Sequence, residues 1–131
     1  MRLLLDTHIW LWALLEPERL SAEVRAALES PDNELWLSPI SVWEAGILAE
    51  RGRLSPVTST TAWLQQMVAA IPRREAPLTH EIAMMSRQVS LPHQDPADRF
   101  LAATARVHDL TLVTADERLQ HSDEFAVLAN R

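Results

Sequence analysis

The chain has 131 residues, 47% of them hydrophobic and 23% charged, and its formal net charge is −6. This length and composition suit one globular domain with its own core, and they exclude a disordered or fibrous protein. Cysteine and lysine are absent and only two glycines occur, which excludes disulfide frameworks, thiolate chemistry and the usual glycine-rich nucleotide-binding loops.

Hydrophobic periodicity and turn residues predict alternating strands and helices. Ser21 and Asp95 stand where helix N-caps are expected, and Pro96 suits a first helical turn. In chain order, the pattern predicts a strand at 2–5, helices at 7–15 and 22–29, a strand at 35–37, helices at 39–51 and 62–71, a weak strand at 75–78, helices at 79–88 and 96–107, a strand at 110–113, a helical turn at 117–120 and a last strand at 125–128. A loop is predicted over 55–61. The alternation is typical of an α/β fold with a mainly parallel sheet, formed by a single domain over residues 1–131.

The net charge and the N-terminus limit the class of protein. Proteins that hold nucleic acid by bulk charge are usually basic, so an acidic chain needs a bound cation or a basic partner for that task. The apolar N-terminal stretch is interrupted by Asp6 and His8 and is shorter than the roughly 20 residues that span a bilayer. Together with the absence of cysteine, this favours a cytoplasmic protein without a membrane segment.

Four acidic residues are predicted to meet at one edge of the sheet. Asp6 closes the first predicted strand, and Asp116 follows the fourth. Glu44 lies in the opening turns of the helix after the second strand, and Asp98 lies in the first turn of the helix before the fourth. Ligands of open parallel sheets bind at the carboxyl ends of the strands, which is where all four side chains are expected.

Each carboxylate also has an ordinary structural explanation. Asp98 follows Asp95 by three residues, a spacing that resembles a reciprocal helix cap. Asp116 precedes Glu117 and suits the positive end of a short helix. A lone carboxylate at a strand end, such as Asp6, is common. The coincidence of the four is what favours a functional site.

Repulsion within such a group of anions predicts its ligand, because close carboxylates need a cation or raised pKa values. A hard divalent cation, Mg²⁺ or Mn²⁺, fits an all-oxygen site. Such a site suits phosphodiester hydrolysis, since the metal lowers the pKa of a bound water and neutralises charge in the transition state. The hydroxyls of Ser41 and Thr114 are candidates to hold a ligand carboxylate or a metal-bound water, with local capping as the alternative.

Four short motifs carry a family resemblance. They are Leu3-Leu4-Leu5-Asp6-Thr7-His8, Ser41-Val42-Trp43-Glu44, Asp95-Pro96-Ala97-Asp98-Arg99-Phe100-Leu101-Ala102 and Thr114-Ala115-Asp116. In this order and spacing they resemble the PIN-domain nucleases, most of all the VapC-type toxins of bacterial toxin–antitoxin pairs. The motifs cover nearly the whole chain, and the second pair is the more specific.

The resemblance implies a three-layer α/β/α sandwich and an endoribonuclease that depends on Mg²⁺ or Mn²⁺. It implies catalytic and metal-binding roles for Asp6, Glu44, Asp98 and Asp116, with Thr114 in support. RNA is the implied substrate. A homodimer and neutralisation by a cognate antitoxin protein are implied as well.

One position departs from the family pattern. Close relatives often carry a lysine one turn after the glutamate, where this chain has Leu48. Loss of that cation bears on phosphate contact rather than on metal binding, and Arg51 or Arg53 is a candidate replacement. A PIN-like scaffold without catalysis, serving as a protein-binding module, is therefore the alternative function.

The histidines and tryptophans are expected to have structural roles. His93 and two later histidines share no metal-ligand spacing and are expected to be solvated or capping groups. His8 is expected to hydrogen-bond to the adjacent loop. The five tryptophans are expected in the core or at a subunit surface, with Trp12 the most exposed.

Overall fold

The computed structural model describes residues 1–52 and 59–131, so most of the predicted loop over 55–61 lies outside the described residues. The elements are β1 (Arg2–Leu5), α1 (Thr7–Leu15), α2 (Ala22–Glu29), β2 (Glu34–Leu37), α3 (Pro39–Glu50), α4 (Thr60–Ala69), β3 (Arg74–Glu75), α5 (His80–Ser86), α6 (Pro96–His108), β4 (Thr111–Thr114) and β5 (Val127–Ala129). Short 3₁₀ turns cover Pro17–Arg19 and Glu117–Leu119. The predicted α/β fold is confirmed.

The described strands form one five-stranded sheet in the order β3-β2-β1-β4-β5. Every neighbouring pair is parallel, so the sheet is more regular than the mainly parallel one predicted. β1 is the central strand, and its Leu3 pairs with Leu35 on one side and Thr111 on the other. A strand buried on both faces has a continuous apolar sequence, which explains why Leu3, Leu4 and Leu5 are all fully buried.

Helices cover both faces of the sheet and create two cores. Leu4 points to the core beneath α5 and α6, together with Ile82 and Leu101. Leu3 and Leu5 point the other way, to the core shared with helices α1 to α4. The alternation of side chains along a strand produces this division. The result is a three-layer α/β/α sandwich.

Three of the element boundaries that differ from prediction have local explanations. β3 ends at Glu75, two residues before Pro77, which has no N–H to donate to a neighbouring strand. α4 begins at Thr60 because the Ser59 side chain accepts a hydrogen bond from the backbone N–H of Ala62. α6 ends where Asp109 adopts a left-handed conformation, with φ of 53°.

None of the helices in the described parts of the chain is long and apolar enough to cross a membrane.

Candidate active site

The carboxyl edge of the sheet brings the four predicted carboxylates into one cleft of about 260 Å³. Asp6 directly follows β1 and caps α1, whereas Asp116 lies two residues beyond β4. Asp98 belongs to the first turn of α6, and Glu44 belongs to the second turn of α3. His8, Trp12, Asp95, Ala115 and Arg118 complete the lining.

Asp6 is one of the two buried carboxylates of the cleft, together with Asp98. Its residue is 7% exposed, and its two carboxylate oxygens accept hydrogen bonds from the Thr7 N–H at 2.7 Å and the Thr114 hydroxyl at 2.6 Å. Burial is the largest cause that raises the pKa of Asp6 to about 7, and repulsion from Asp98 and Glu44 adds to it. The two hydrogen bonds oppose this shift.

Thr114 links two of the carboxylate-bearing segments. Its hydroxyl donates to Asp6 and accepts from the backbone N–H of Asp116 at 3.0 Å. The contact explains why this threonine is fully buried at the end of β4. The arrangement fixes Asp6 relative to the chain that carries Asp116.

Ser41, the other hydroxyl predicted to support the site, is joined to it through Thr7. It is fully buried on α3 and shares a hydrogen bond of 3.0 Å with the Thr7 hydroxyl. The same Thr7 hydroxyl favours the ionised form of Glu44. Ser41 therefore supports Glu44 through Thr7 and joins the starts of α1 and α3.

Glu44 and Asp98 share the electrostatic setting of Asp6. Burial is the main cause that raises the pKa of Glu44, and the Asp98 carboxylate adds to the effect. Burial likewise raises the pKa of Asp98, with repulsion from Asp95 and Asp116 in the same direction. The site holds more negative charge than its surroundings stabilise.

Asp98 does not form the reciprocal helix cap that its spacing allows. Asp95 alone caps α6, with its side chain accepting from the N–H groups of Ala97 and Asp98. The Asp98 carboxylate instead lies 2.7 Å from the His93 ring nitrogen Nε2. The Asp98 side chain therefore does not cap the helix and instead lines the cleft.

The expectation that His93 is a solvated or capping group is wrong. Only 14% of its side chain is exposed, and its contact with Asp98 favours the ionised carboxylate. The sequence signal was available but weak: His93 precedes the Asp95-Pro96 helix start by two residues and Asp98 by five. Spacing alone does not show that a loop residue folds back onto the first helical turn.

Arg99 holds the segment that carries His93. Its guanidinium is buried and donates hydrogen bonds to the carbonyl oxygens of Ser86 and Val89, both at 2.8 Å, and of His93 at 3.4 Å. These carbonyls lie at the last residue of α5 or beyond it, where the carbonyl groups of a helix end lack intrahelical partners. Arg99 is thus a structural residue, although it stands next to Asp98 in sequence.

Arg118 is a cleft residue that sequence reasoning missed. Its guanidinium donates to both oxygens of Asp116, from Nε at 3.1 Å and from Nη2 at 2.8 Å. Nη2 also lies 3.6 Å from the Asp98 carboxylate. The Arg118 guanidinium holds the pKa of Asp116 below its usual value, opposite to the shifts of the other three carboxylates.

The replacement cations considered for the family lysine lie elsewhere. Leu48 packs against the core on the α1 to α4 side of the sheet. Arg51 is exposed at the end of α3 and does not line the cleft, and Arg53 lies outside the described residues. Among the lining residues that the structure describes, Arg118 alone carries a permanent positive charge.

Two aromatic expectations need correction. Trp12 is half-buried beneath the Arg19 guanidinium, whose carbon lies 4.2 Å from the ring centroid. Trp43, next to Glu44 on α3, is the strongly exposed tryptophan at 55%. His8 is exposed at the cleft and its ring lies 5.8 Å from that of Trp12, so its described partner is an aromatic ring.

The donor set fits a divalent cation. His93, Asp98 and Asp116 each offer one ligand atom, and these atoms lie within 4.8 Å of one another. Asp6 and Glu44 add carboxylate oxygens to the same cleft. Oxygen ligands with a single imidazole nitrogen suit Mg²⁺ or Mn²⁺ better than a thiophilic metal. The raised pKa values of Asp6, Glu44 and Asp98 are those expected of ligands without their cation.

Comparisons with known proteins identify the family of this chain and folds similar to it. Residues 3–124 match the PIN domain family model. Ribonuclease VapC22 of Mycobacterium tuberculosis is 39% identical over 120 residues, which cover 89% of this chain and 88% of that protein. The fold is similar to that of VapBC2 from Rickettsia felis bound to a DNA fragment from their promoter, with a TM-score of 0.70 and 13% identity over the full length of both chains. It is also similar to FitAB bound to the IR36 DNA fragment, with a TM-score of 0.67 and 25% identity over 97% of this chain and 94% of that one.

Proposed function

The chain belongs to the PIN-domain family, and we propose that it is a divalent-metal-dependent endoribonuclease, the toxin of a toxin–antitoxin pair. One observation carries the proposal. Four carboxylates from four separate segments share a cleft, and three of them have raised pKa values. A protein without a cation to bind has no evident use for such a cluster, because it costs folding free energy.

We assign the metal-binding and catalytic roles to Asp6, Glu44, Asp98 and Asp116. Mg²⁺ or Mn²⁺ bound there supplies an activated water and neutralises the charge that develops on the phosphate. Thr114 and the Thr7 N–H keep the Asp6 carboxylate aimed at the cleft. No side chain is required as a covalent nucleophile.

His93 Nε2 lies close enough to the carboxylates to be a ligand atom, but we assign His93 a positioning role, because this nitrogen already contacts Asp98. Its Nε2 holds one oxygen of Asp98, while Arg99 fixes the carbonyl of the same histidine. Outer partners of this kind orient the carboxylates that bind a metal and set their basicity. The Asp98 carboxylate is therefore pre-organised before an ion arrives.

The acidic cleft also bears on the proposed partner. VapC22 is a ribonuclease by name, and VapBC2 and FitAB are complexes bound to DNA fragments. We infer that this chain acts on RNA in the cytoplasm, forms a homodimer and is neutralised by an antitoxin that places an arginine or lysine in the cleft. A complex in which the antitoxin leaves the cleft open contradicts the last part.

Cleavage of RNA by the purified chain, freed of any partner, tests the proposal. Total tRNA is incubated with Mg²⁺ or Mn²⁺, beside an EDTA control, the Asp98→Asn variant and an Asp32→Asn variant. Asp32 is an exposed turn residue, so its variant has the same change in charge outside the cleft. We expect cleavage by the parent and Asp32→Asn that EDTA abolishes, and none by Asp98→Asn.

The opposite results are equally informative. Cleavage that persists in Asp98→Asn, or in EDTA, places the activity outside this cleft and overturns the assignment. Metal binding without cleavage of RNA by the parent protein favours the scaffold that binds other proteins instead.

A further inference from the structure

The position of Arg118 conflicts with that of a bound cation. Its Nη2 lies 2.8 Å from an Asp116 oxygen and 3.6 Å from Asp98 Oδ2. That same Asp98 oxygen is 2.7 Å from His93 Nε2. The guanidinium therefore reaches both carboxylates whose oxygens, with His93, form the group able to hold a metal ion.

A divalent cation and the Arg118 guanidinium cannot both occupy the position between the carboxylates of Asp98 and Asp116. Metal–oxygen distances are about 2.0–2.1 Å for Mg²⁺, so an ion bound by Asp98 and Asp116 needs an Asp116 oxygen that Arg118 now holds and comes close to the guanidinium. The two groups also carry charge of the same sign. The Arg118 side chain can move away from the two carboxylates, because 53% of it is exposed to solvent.

The released guanidinium is suited to a phosphate. Arginine presents planar N–H donors that match phosphate oxygens in pairs, as they match Asp116 here. Among the described residues that line the cleft it is the one permanent cation, and the other charged side chains there are carboxylates or histidine. RNA approaching so acidic a cleft needs such a contact.

We propose that Arg118 is a phosphate-binding residue that Asp116 and Asp98 hold in place until a divalent cation displaces it. The inference rests on the function proposed above and names the group that receives the RNA backbone. Arg118 would also supply a positive charge in place of the family lysine, whose position is occupied by Leu48 in this chain.

The test compares Arg118→Gln and Arg118→Lys with Arg106→Gln. Arg106 is a matched control because it is also ion-paired, to Glu124 at 3.6 Å, but lies near the other end of α6 from Asp98. The first measurement is calorimetric titration of each protein with MnCl₂ in the absence of RNA. We expect Arg118→Gln to bind Mn²⁺ on the order of fivefold more tightly than the parent, and Arg106→Gln to match the parent.

The second measurement is the affinity for labelled total tRNA, read by fluorescence anisotropy at saturating Mn²⁺ over a range of salt concentrations. Arg118→Gln is expected to bind about tenfold more weakly, and its slope of log affinity against log salt is expected to be smaller by about one phosphate contact. Arg118→Lys keeps the charge, so it is expected to restore the slope. Thermal unfolding of each variant is measured as a check that it is folded.

Two results overturn the inference. The first is that Arg118→Gln binds Mn²⁺ no more tightly than Arg106→Gln does, which means that Arg118 does not compete with the ion for the carboxylates. An unchanged salt slope means that it contacts no phosphate. Because affinities are read rather than cleavage, a parent protein that binds tRNA without cutting it contradicts only the proposed function, and the Arg118 comparison still gives its own answer.

Discussion

The burial of Asp6 leads to a prediction about stability as well as activity. Asparagine has nearly the same shape as aspartic acid but does not ionise, so Asp6→Asn removes a buried charge and keeps the side-chain volume. We expect the variant to lose RNA cleavage, because a carboxylate oxygen is lost from the cleft. We also expect the metal-free variant to be more stable than the parent at pH 8.

The magnitude follows from the pKa of Asp6. Its rise from 3.8 to about 7 corresponds to roughly 4 kcal/mol between the two protonation states. Because the pKa of Asp6 is higher in the folded than in the unfolded protein, protonated Asp6 stabilises the folded state relative to ionised Asp6. This stability is fully present below the unfolded-state pKa and is lost as the pH rises through about 7. Asparagine does not ionise, so the variant keeps this stability at every pH. Against this, the Thr114 hydroxyl loses its carboxylate acceptor, which costs about 1 kcal/mol. A net gain of about 1–3 kcal/mol at pH 8 is expected.

The assay is urea unfolding in EDTA at pH 5, 6, 7 and 8, with Asp32→Asn as the control for loss of one surface charge. We expect the difference between Asp6→Asn and the parent to grow from pH 5 to pH 8. The control should stay within about 0.5 kcal/mol of the parent throughout. Saturating Mg²⁺ should stabilise the parent more than Asp6→Asn, since ligand binding to the folded state raises its stability.

A variant less stable than the parent at pH 8 in EDTA refutes the reasoning. It would mean that the hydrogen bonds from Thr7 and Thr114 stabilise the ionised Asp6 by more than burial and its neighbouring carboxylates destabilise it. A difference that does not change with pH would also count against it, since the proposed effect is one of ionisation.

Two further predictions concern the pH dependence of metal binding and the contribution of Arg99 to stability. Metal affinity should fall by about tenfold per pH unit below pH 7, because Asp6 must lose its proton to bind an ion; equal Mn²⁺ affinities at pH 6 and pH 8 by calorimetry would contradict this. Arg99→Met should cost about 2–4 kcal/mol in urea unfolding, because three carbonyl oxygens lose a buried donor. Arg106→Met, which removes an exposed ion pair from the same helix, should cost less than about 1 kcal/mol, and equal costs for the two would show that the carbonyl contacts contribute nothing.

The bounds of helices and strands that depend on local sequence signals were predictable from the sequence. β1 and α2 have the predicted bounds, because a continuous apolar run and the Ser21 cap are local signals. β5 was predicted earlier in the chain than Val127–Ala129. Its position depends on pairing with β4, where Thr114 meets Ala129, and a short edge strand has no pattern strong enough to define that register.

The residues of the candidate site likewise include some that the sequence predicts and some that it does not. That Asp6 and Asp116 share an edge follows from where parallel strands end, which apolar runs reveal. The contacts of His93 and Arg118 depend on how a loop and a 3₁₀ turn direct their side chains, and neither hydrophobic periodicity nor capping residues encode this. The same is true of Arg99, whose acceptors are carbonyls that no sequence pattern marks.

The central position of β1 has a consequence for the synthesis of the protein. Leu4 of this strand pairs with Leu112, more than a hundred residues later in the chain. Until the ribosome has made β4, the first strand has a bare edge and the cleft has no Asp116. Contacts of such sequence separation also slow folding. If the cleft acts as proposed, an incomplete chain lacks one of its four carboxylates, and the proposed activity begins only when the chain is nearly complete and folded.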